Sequence, residues 1–205
     1  MATRAIPVTS APARSRTRRD DILAAAARLF AERGYHGVPI EDIGRAVGIS
    51  GPGLYRHFPS KESVLARMLL AISERLVAEG ARRVADATDP SDALDALLVG
   101  HIEFALTEPA LITVHDRELG NVPEPQRREV RRMQRRYVEQ WVAVLAQLSP
   151  ECPAATLRAA THAAFGLLNS TPYSAAAVSR EVMAGLLHSM AQHALTGAAG
   201  SYTGA

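Results

Sequence analysis

Apolar residues recur at helical spacing along most of the chain, and the breaks fall at residues that start or stop helices. Thr17 and Asp20 stand in the relation of a capping pair ahead of Ile22, Ala26, Leu29 and Phe30, and Gly34 closes this first helix. Pro39 suits the first position of a second helix, barely two turns long, with Ile40, Ile43 and Val47 inward and Gly48 as its stop. Ser50 caps a third helix, in which Leu54 and Phe58 share the buried side and Pro59 marks the end. Ser60 caps a fourth that runs through Val64, Leu65, Met68, Ile72 and Leu76 to about Ala85. That helix is too long for the small module alone and should join it to a second unit.

Beyond it, turn signals at Asp89-Pro90, Glu108-Pro109, Asn121 to Pro123, Ser149 to Pro153 and Pro172 divide further helical patterns over 91–107, 109–119, 124–148, 154–170 and 178–195. No segment alternates as a strand does. The expected fold is all-α: a three-helix helix-turn-helix module over 17–78, joined by the long helix to a helical ligand-binding and dimerisation domain over 79–196. Residues 1–16 are expected to form a disordered basic arm and 197–205 a flexible tail.

Composition narrows the class. With 47% hydrophobic and 21% charged residues over 205 positions, the chain can bury a core. Its apolar runs are broken too early to span a membrane, and the N-terminus lacks an apolar signal core, so a cytoplasmic protein without membrane contact is expected. The single Cys152 sits in an expected loop and offers neither an internal disulfide nor a thiolate cluster. The net charge of +2 is unevenly spread, with 11 Lys and Arg against 6 Asp and Glu up to residue 67 and 12 against 15 after it. A basic front half suits a polyanionic partner.

Two short helices separated by Gly48-Ile49-Ser50 have the layout that sets a second helix into the major groove of DNA. With Leu54 and Phe58 inward, the outward side offers Tyr55, Arg56 and His57, flanked by Arg45 on the preceding helix. Gly51, Pro52 and Gly53 form the first turn, where the glycines allow close backbone approach. Ser50 and Lys61 stand at helix starts, where phosphates are favoured. In the arm, Arg14, Arg16, Arg18 and Arg19 either follow DNA or merely solubilise.

These residues carry a resemblance. Ile22 to Ala26, Leu29-Phe30, Gly34-Tyr35, Ile43, Gly48-Ile49-Ser50, Leu54 to Phe58 and Ser60-Lys61-Glu62 closely resemble the TetR family, over about residues 18–78. The resemblance implies a homodimeric repressor that holds a palindromic DNA operator and releases it on binding a small-molecule effector. It implies phosphate contacts for Tyr55, His57 and Lys61, whereas Arg56 replaces a frequent aromatic or neutral residue and is expected to add a base contact. Val38 and Pro39 stand where the family commonly has Thr or Ser, which removes one expected phosphate contact, and Gly44 replaces a frequent Ala.

By the same resemblance the C-terminal helices enclose a ligand cavity, and the last two pair with a partner's. Conspicuous lining candidates are His101, Phe104, His115, Arg117, Tyr137, Trp141, Phe165 and Asn169. For the dimer, a small-residue stripe at Leu157, Thr161, Ala164 and Leu168 complements a larger one at Val182, Leu186 and Met190. Arg127, Arg128, Arg131, Arg132, Arg135 and Arg136 form a basic helix face, which reads most simply as a solvated surface. Together with Asp116 to Leu119 and Pro123, this face also resembles TetR members that respond to acyl-CoA thioesters.

No nucleophile elbow, phosphate loop or paired His and carboxylate spacing is present, so neither an enzyme nor a bound metal or cofactor is expected. The alternative is a helix-turn-helix DNA-binding protein with no small-molecule effector.

Overall fold

The computed structural model describes residues 17–200, with side chains to Gly197, and these residues are helical throughout apart from turns and short links. The expectations for 1–16 and for 201–205 fall outside the described residues.

Helix α1 (Arg18–Arg33) begins where the capping pair places it. The Thr17 hydroxyl accepts from the Asp20 amide, and the Asp20 carboxylate accepts from the Thr17 amide at 2.9 Å. Gly34 ends it at φ 73°, a backbone region that favours glycine. Helices α2 (Ile40–Ala46) and α3 (Gly51–Tyr55) are joined through Gly48 at φ 70°. The Ile49 amide reaches back to the Gly44 carbonyl at 2.9 Å. A β-carbon at buried Gly44 would lie 2.9 Å from the Ile49 carbonyl oxygen, so an alanine here would require this turn to shift. Pro39 caps α2 from just outside instead of occupying its first position.

Helix α4 (Lys61–Asp86) is 26 residues long, or about 39 Å at helical rise. Ser60 and Ser63 cap it reciprocally at 3.2 Å. The body follows as α5 (Pro90–Thr107), α6 (Pro109–Glu118), a 3₁₀ turn (Leu119–Asn121), α7 (Glu124–Leu148), α8 (Ala154–Leu168), the single turn α9 (Thr171–Ser174), a second 3₁₀ turn (Ala175–Ala177) and α10 (Arg180–Gly200). Two details differ from the sequence pattern. Pro172 initiates a turn of helix instead of only dividing its neighbours, because proline is compatible with a first turn. The last helix also runs on to Gly200, into the segment expected as tail.

Two apolar clusters hold the chain together. One gathers Ile22, Phe30, Ile43, Leu54, Phe58 and Leu65 of the module, joined by Val114, Val122 and Val130 from the body. The other packs Leu94, Leu97, Leu98, Trp141, Leu145, Leu157 and Leu168 inside the body. Helix α4 contributes to both, so module and body share one rigid member and a common seam at α1 and α6. Among the described residues no single helix is long and apolar enough to cross a membrane.

Candidate nucleic-acid interface and effector core

The outward side of α3 is built by its own capping. The Ser50 hydroxyl accepts from the Gly53 amide at 3.2 Å, which fixes the first turn while Leu54 and Phe58 anchor it below. Ser50, Pro52, Tyr55 and Arg56 are left exposed, and Gly51 and His57 are half-buried. Arg45 on α2 is exposed as well, its guanidinium 2.7 Å from Asp42. Gly53 corrects the sequence expectation: it is buried beneath the Ser50 hydroxyl, so it serves the cap and not an open approach. Arg18 is tied to the Val47 carbonyl at 3.1 Å, and Arg19 lies 4.7 Å over the Phe58 ring, so both brace the module.

Lys61, at the start of α4, is turned inward. Its ammonium donates to the carbonyls of Tyr35 at 2.9 Å and Val38 at 3.1 Å and lies 4.3 Å over the Tyr35 ring. The Tyr35 hydroxyl donates to Glu62 at 2.8 Å. The backbone amide of Glu62, followed by that hydroxyl, holds the Glu62 carboxyl below the usual carboxylate range. Burial, reinforced by Glu62, pushes the Tyr35 phenol up.

In the body, six of the eight lining candidates converge. His101 stacks on Phe165 with ring centres 4.8 Å apart and planes 2° apart. Trp141 meets Phe165 edge-on at 5.1 Å, Tyr137 stacks on it at 5.5 Å, and Phe104 closes on His101 at 5.7 Å. The two His101 nitrogens lie 3.3 Å from the Tyr137 hydroxyl and 3.1 Å from the Asn169 side-chain oxygen. A neutral ring satisfies both: one nitrogen accepts from the phenol and the other donates to the amide oxygen. Burial pushes the His101 pKa down to about 4, against the opposing pull of Asn169.

The other two candidates lie elsewhere. His115 pairs with Asp116 at 3.1 Å and with Gln134, and Arg117 is exposed on α6.

Beside the ring cluster a narrow slot of about 10 Å³, room for about one water molecule, lies between α4, α5 and α7. Gly80, Gly100, Arg83 and Tyr137 line it, and sequence pattern alone passes over the first three. Their signal is the pair of glycines inside helices, where glycine is costly unless something packs close. A β-carbon at Gly100 would lie 2.5 Å from Arg83 Nε, and one at Gly80 would lie 2.8 Å from Gln140 Oε1. Those two buried polar atoms have no hydrogen-bond partner. Among the described residues, no group of three or more His, Cys, Asp or Glu side chains is placed to hold a metal ion.

The expected pairing face needs correction on α8. Leu157, Thr161, Ala164 and Leu168 are each 2% exposed or less and are packed within their own chain. The opposite side of the helix exposes a second set of small residues, Ala155, Ala159, Ala163 and Gly166. With small residues on both sides, hydrophobic spacing does not separate core from surface. On α10 the expected stripe is exposed, with Val182 at 52%, Leu186 at 48% and Met190 at 54%. α8 and α10 pack against each other, so the two exposed faces belong to neighbouring helices.

Known proteins share this architecture. The description "Bacterial regulatory proteins, tetR family" matches residues 22–68, and "Tetracyclin repressor-like, C-terminal domain" matches residues 87–173. The HTH-type transcriptional repressor KstR2 of Mycolicibacterium smegmatis is 29% identical over 137 residues, which is 65% of this chain and 66% of that protein. The match thus spans just under two thirds of that relative's length. The crystal structure of a TetR-family transcriptional regulator from Bordetella parapertussis superposes with a TM-score of 0.75 at 30% identity, over 84% of this chain and 93% of that one. FadR from Bacillus subtilis, in complex with stearoyl-CoA, superposes with a TM-score of 0.68 at 15% identity, over 83% of this chain and 96% of that one, a likeness of fold.

Proposed function

Because the chain belongs to the TetR family of bacterial transcriptional regulators, we propose that it is a homodimeric repressor that holds a palindromic operator and releases it when a small hydrophobic effector binds the body. The observation that carries the DNA half is the exposed Tyr55-Arg56 pair on a serine-capped helix whose inner side is locked into the module's core. Tyr55 and His57 address phosphates, Lys61 does so through the third ammonium hydrogen that its two carbonyl bonds leave, and Arg56 reads a base edge from the major groove. The exposed apolar side of α10, continued by the small residues of α8, pairs two copies so that their α3 helices meet successive half-sites.

For the effector we favour an acyl-CoA thioester. The acyl part suits the apolar surroundings of the ring cluster. The partnerless Arg83 Nε offers a donor to a carbonyl or phosphate oxygen, and the exposed Arg128, Arg131, Arg132 and Arg135 on α7 suit nucleotide phosphates. The stearoyl-CoA carried by the Bacillus subtilis protein of the same fold supports this choice. An effector that prefers one spacing of the two modules shifts the dimer towards it through the continuous α4.

A thermal-shift series of acyl-CoAs, repeated with operator bound, tests the proposal. Stabilisation of the free protein together with release of DNA is expected, and no shift with any chain length contradicts it. One observation favours the effector-free alternative: the rings already fill the centre of the body, with Trp141 fully buried. An operator complex indifferent to the whole series would support that alternative.

A further inference from the structure

We propose that Glu118 is a positioning residue through which the body sets the pose of Lys61 on the DNA side, by way of Tyr35; this rests on the DNA interface proposed above. Glu118 ends α6 and is only 8% exposed, at the seam between body and module. One carboxylate oxygen accepts the Tyr35 amide at 3.1 Å across 83 positions of sequence, and the other accepts the Asn121 side-chain amide at 2.7 Å. Both bonds come from neutral donors. Burying a carboxylate on such terms is expensive, and an apolar residue in its place would leave the Tyr35 amide without an acceptor. What the carboxylate adds is direction: charge-assisted bonds are short and strong, and they hold one peptide group in one orientation.

That peptide group belongs to the residue which also holds Lys61. Gly34, in its left-handed conformation, turns the chain so that the Tyr35 amide meets Glu118. On the same residue, the carbonyl accepts the Lys61 ammonium at 2.9 Å, the hydroxyl binds Glu62 at 2.8 Å and the ring lies under Lys61. A second strut runs from Asn121 to His36 at 3.2 Å. Val114 and Val122 are buried in the module's own core, so a shift of α6 carries the Tyr35 turn with it. On the body side, α6 follows directly from α5, which bears His101 and Phe104. This route runs from the ring cluster through α6 to the start of α4, independently of bending along α4 itself.

Coupling is reciprocal, so what happens at Lys61 on DNA must be felt at Glu118. The test measures operator affinity of the full-length protein against salt, on a duplex that the wild type selects from a random library. Lys61→Ala should reduce the salt slope by about two, the loss of one phosphate contact in each half-site. Glu118→Leu should reduce it by the same amount, at a lower melting temperature because the buried Tyr35 amide loses its acceptor, and the double variant should lose no more of the slope. Glu118→Gln should keep the wild-type slope, because its side-chain oxygen still accepts the Tyr35 amide. It also serves as the folded control if the leucine variant does not fold.

Hydrogen exchange supplies the second readout. Operator should slow exchange across residues 109–122 by about fivefold or more in the wild type, and not in Glu118→Leu. A Glu118→Leu protein that retains both the wild-type slope and the DNA-induced protection would overturn the relay, as would a Gln variant that loses both. A wild type that selects no duplex would overturn the DNA interface itself, and the relay with it.

Discussion

The module and the body solve opposite problems with the same element. In the module, short helices keep polar groups outward, and a serine cap and the left-handed Gly48 define where Tyr55 and Arg56 point. In the body, longer helices turn aromatic and polar groups inward, so that His101, Tyr137, Trp141 and Phe165 complete one another. A surface made by local capping is fixed by near neighbours in sequence. An interior made by ring contacts is fixed by residues 36 to 68 positions apart, as the His101 hydrogen bonds show.

Substitutions should therefore separate the two regions. The largest effect is expected from Trp141→Ala, since the indole is fully buried and its loss leaves a cavity. Stability measured by chemical denaturation should fall by about 3–5 kcal/mol, whereas any protein that remains folded should bind DNA with nearly wild-type affinity.

A pH effect of similar size is expected from His101. Its pKa is about 4 in the folded protein against 6.5 when unfolded, so between those values the unfolded chain binds the extra proton. Stability from this group is complete above pH 6.5 and is lost as pH falls towards 4, by about 3 kcal/mol at most. Denaturation at stepped pH should show the loss in the wild type and a flatter profile in His101→Gln.

On the proposed pairing face, Leu186→Glu places a charge in the exposed stripe of α10. It should weaken self-association by about 2 kcal/mol or more, seen by light scattering as a folded monomer. Smallest at each site is Arg56→Ala, which should cost about 1–3 kcal/mol of operator affinity per half-site and relax specificity at one base position in each, with the melting temperature unchanged.

The same division governs what sequence alone reveals. Thr17 with Asp20, Ser50 and Gly48 act on residues within a few positions, so their spacing already specifies the caps and the turn that the structure contains. The ring cluster is partly legible, because aromatic residues on apolar helix faces converge in any packed bundle. His115 and Arg117 share that chemistry but point away. The α8 stripe fails for a different reason: alanine and glycine fit either side of a helix, and only α10 and the core decide which side is covered. Least legible is Glu118, which reads as one charged residue among several until folding brings Tyr35 to it.

The central claim is that the Tyr55-Arg56 side of α3 binds duplex DNA as part of a symmetric pair. The most direct test is to recover duplexes from random and genomic pools with the full-length protein and titrate the selected sequence by fluorescence anisotropy from ~50 to ~200 mM salt. The account predicts a palindrome with half-sites about one helical turn apart and an affinity that falls by orders of magnitude over that range. An unenriched pool, or binding indifferent to sequence and salt, would contradict it.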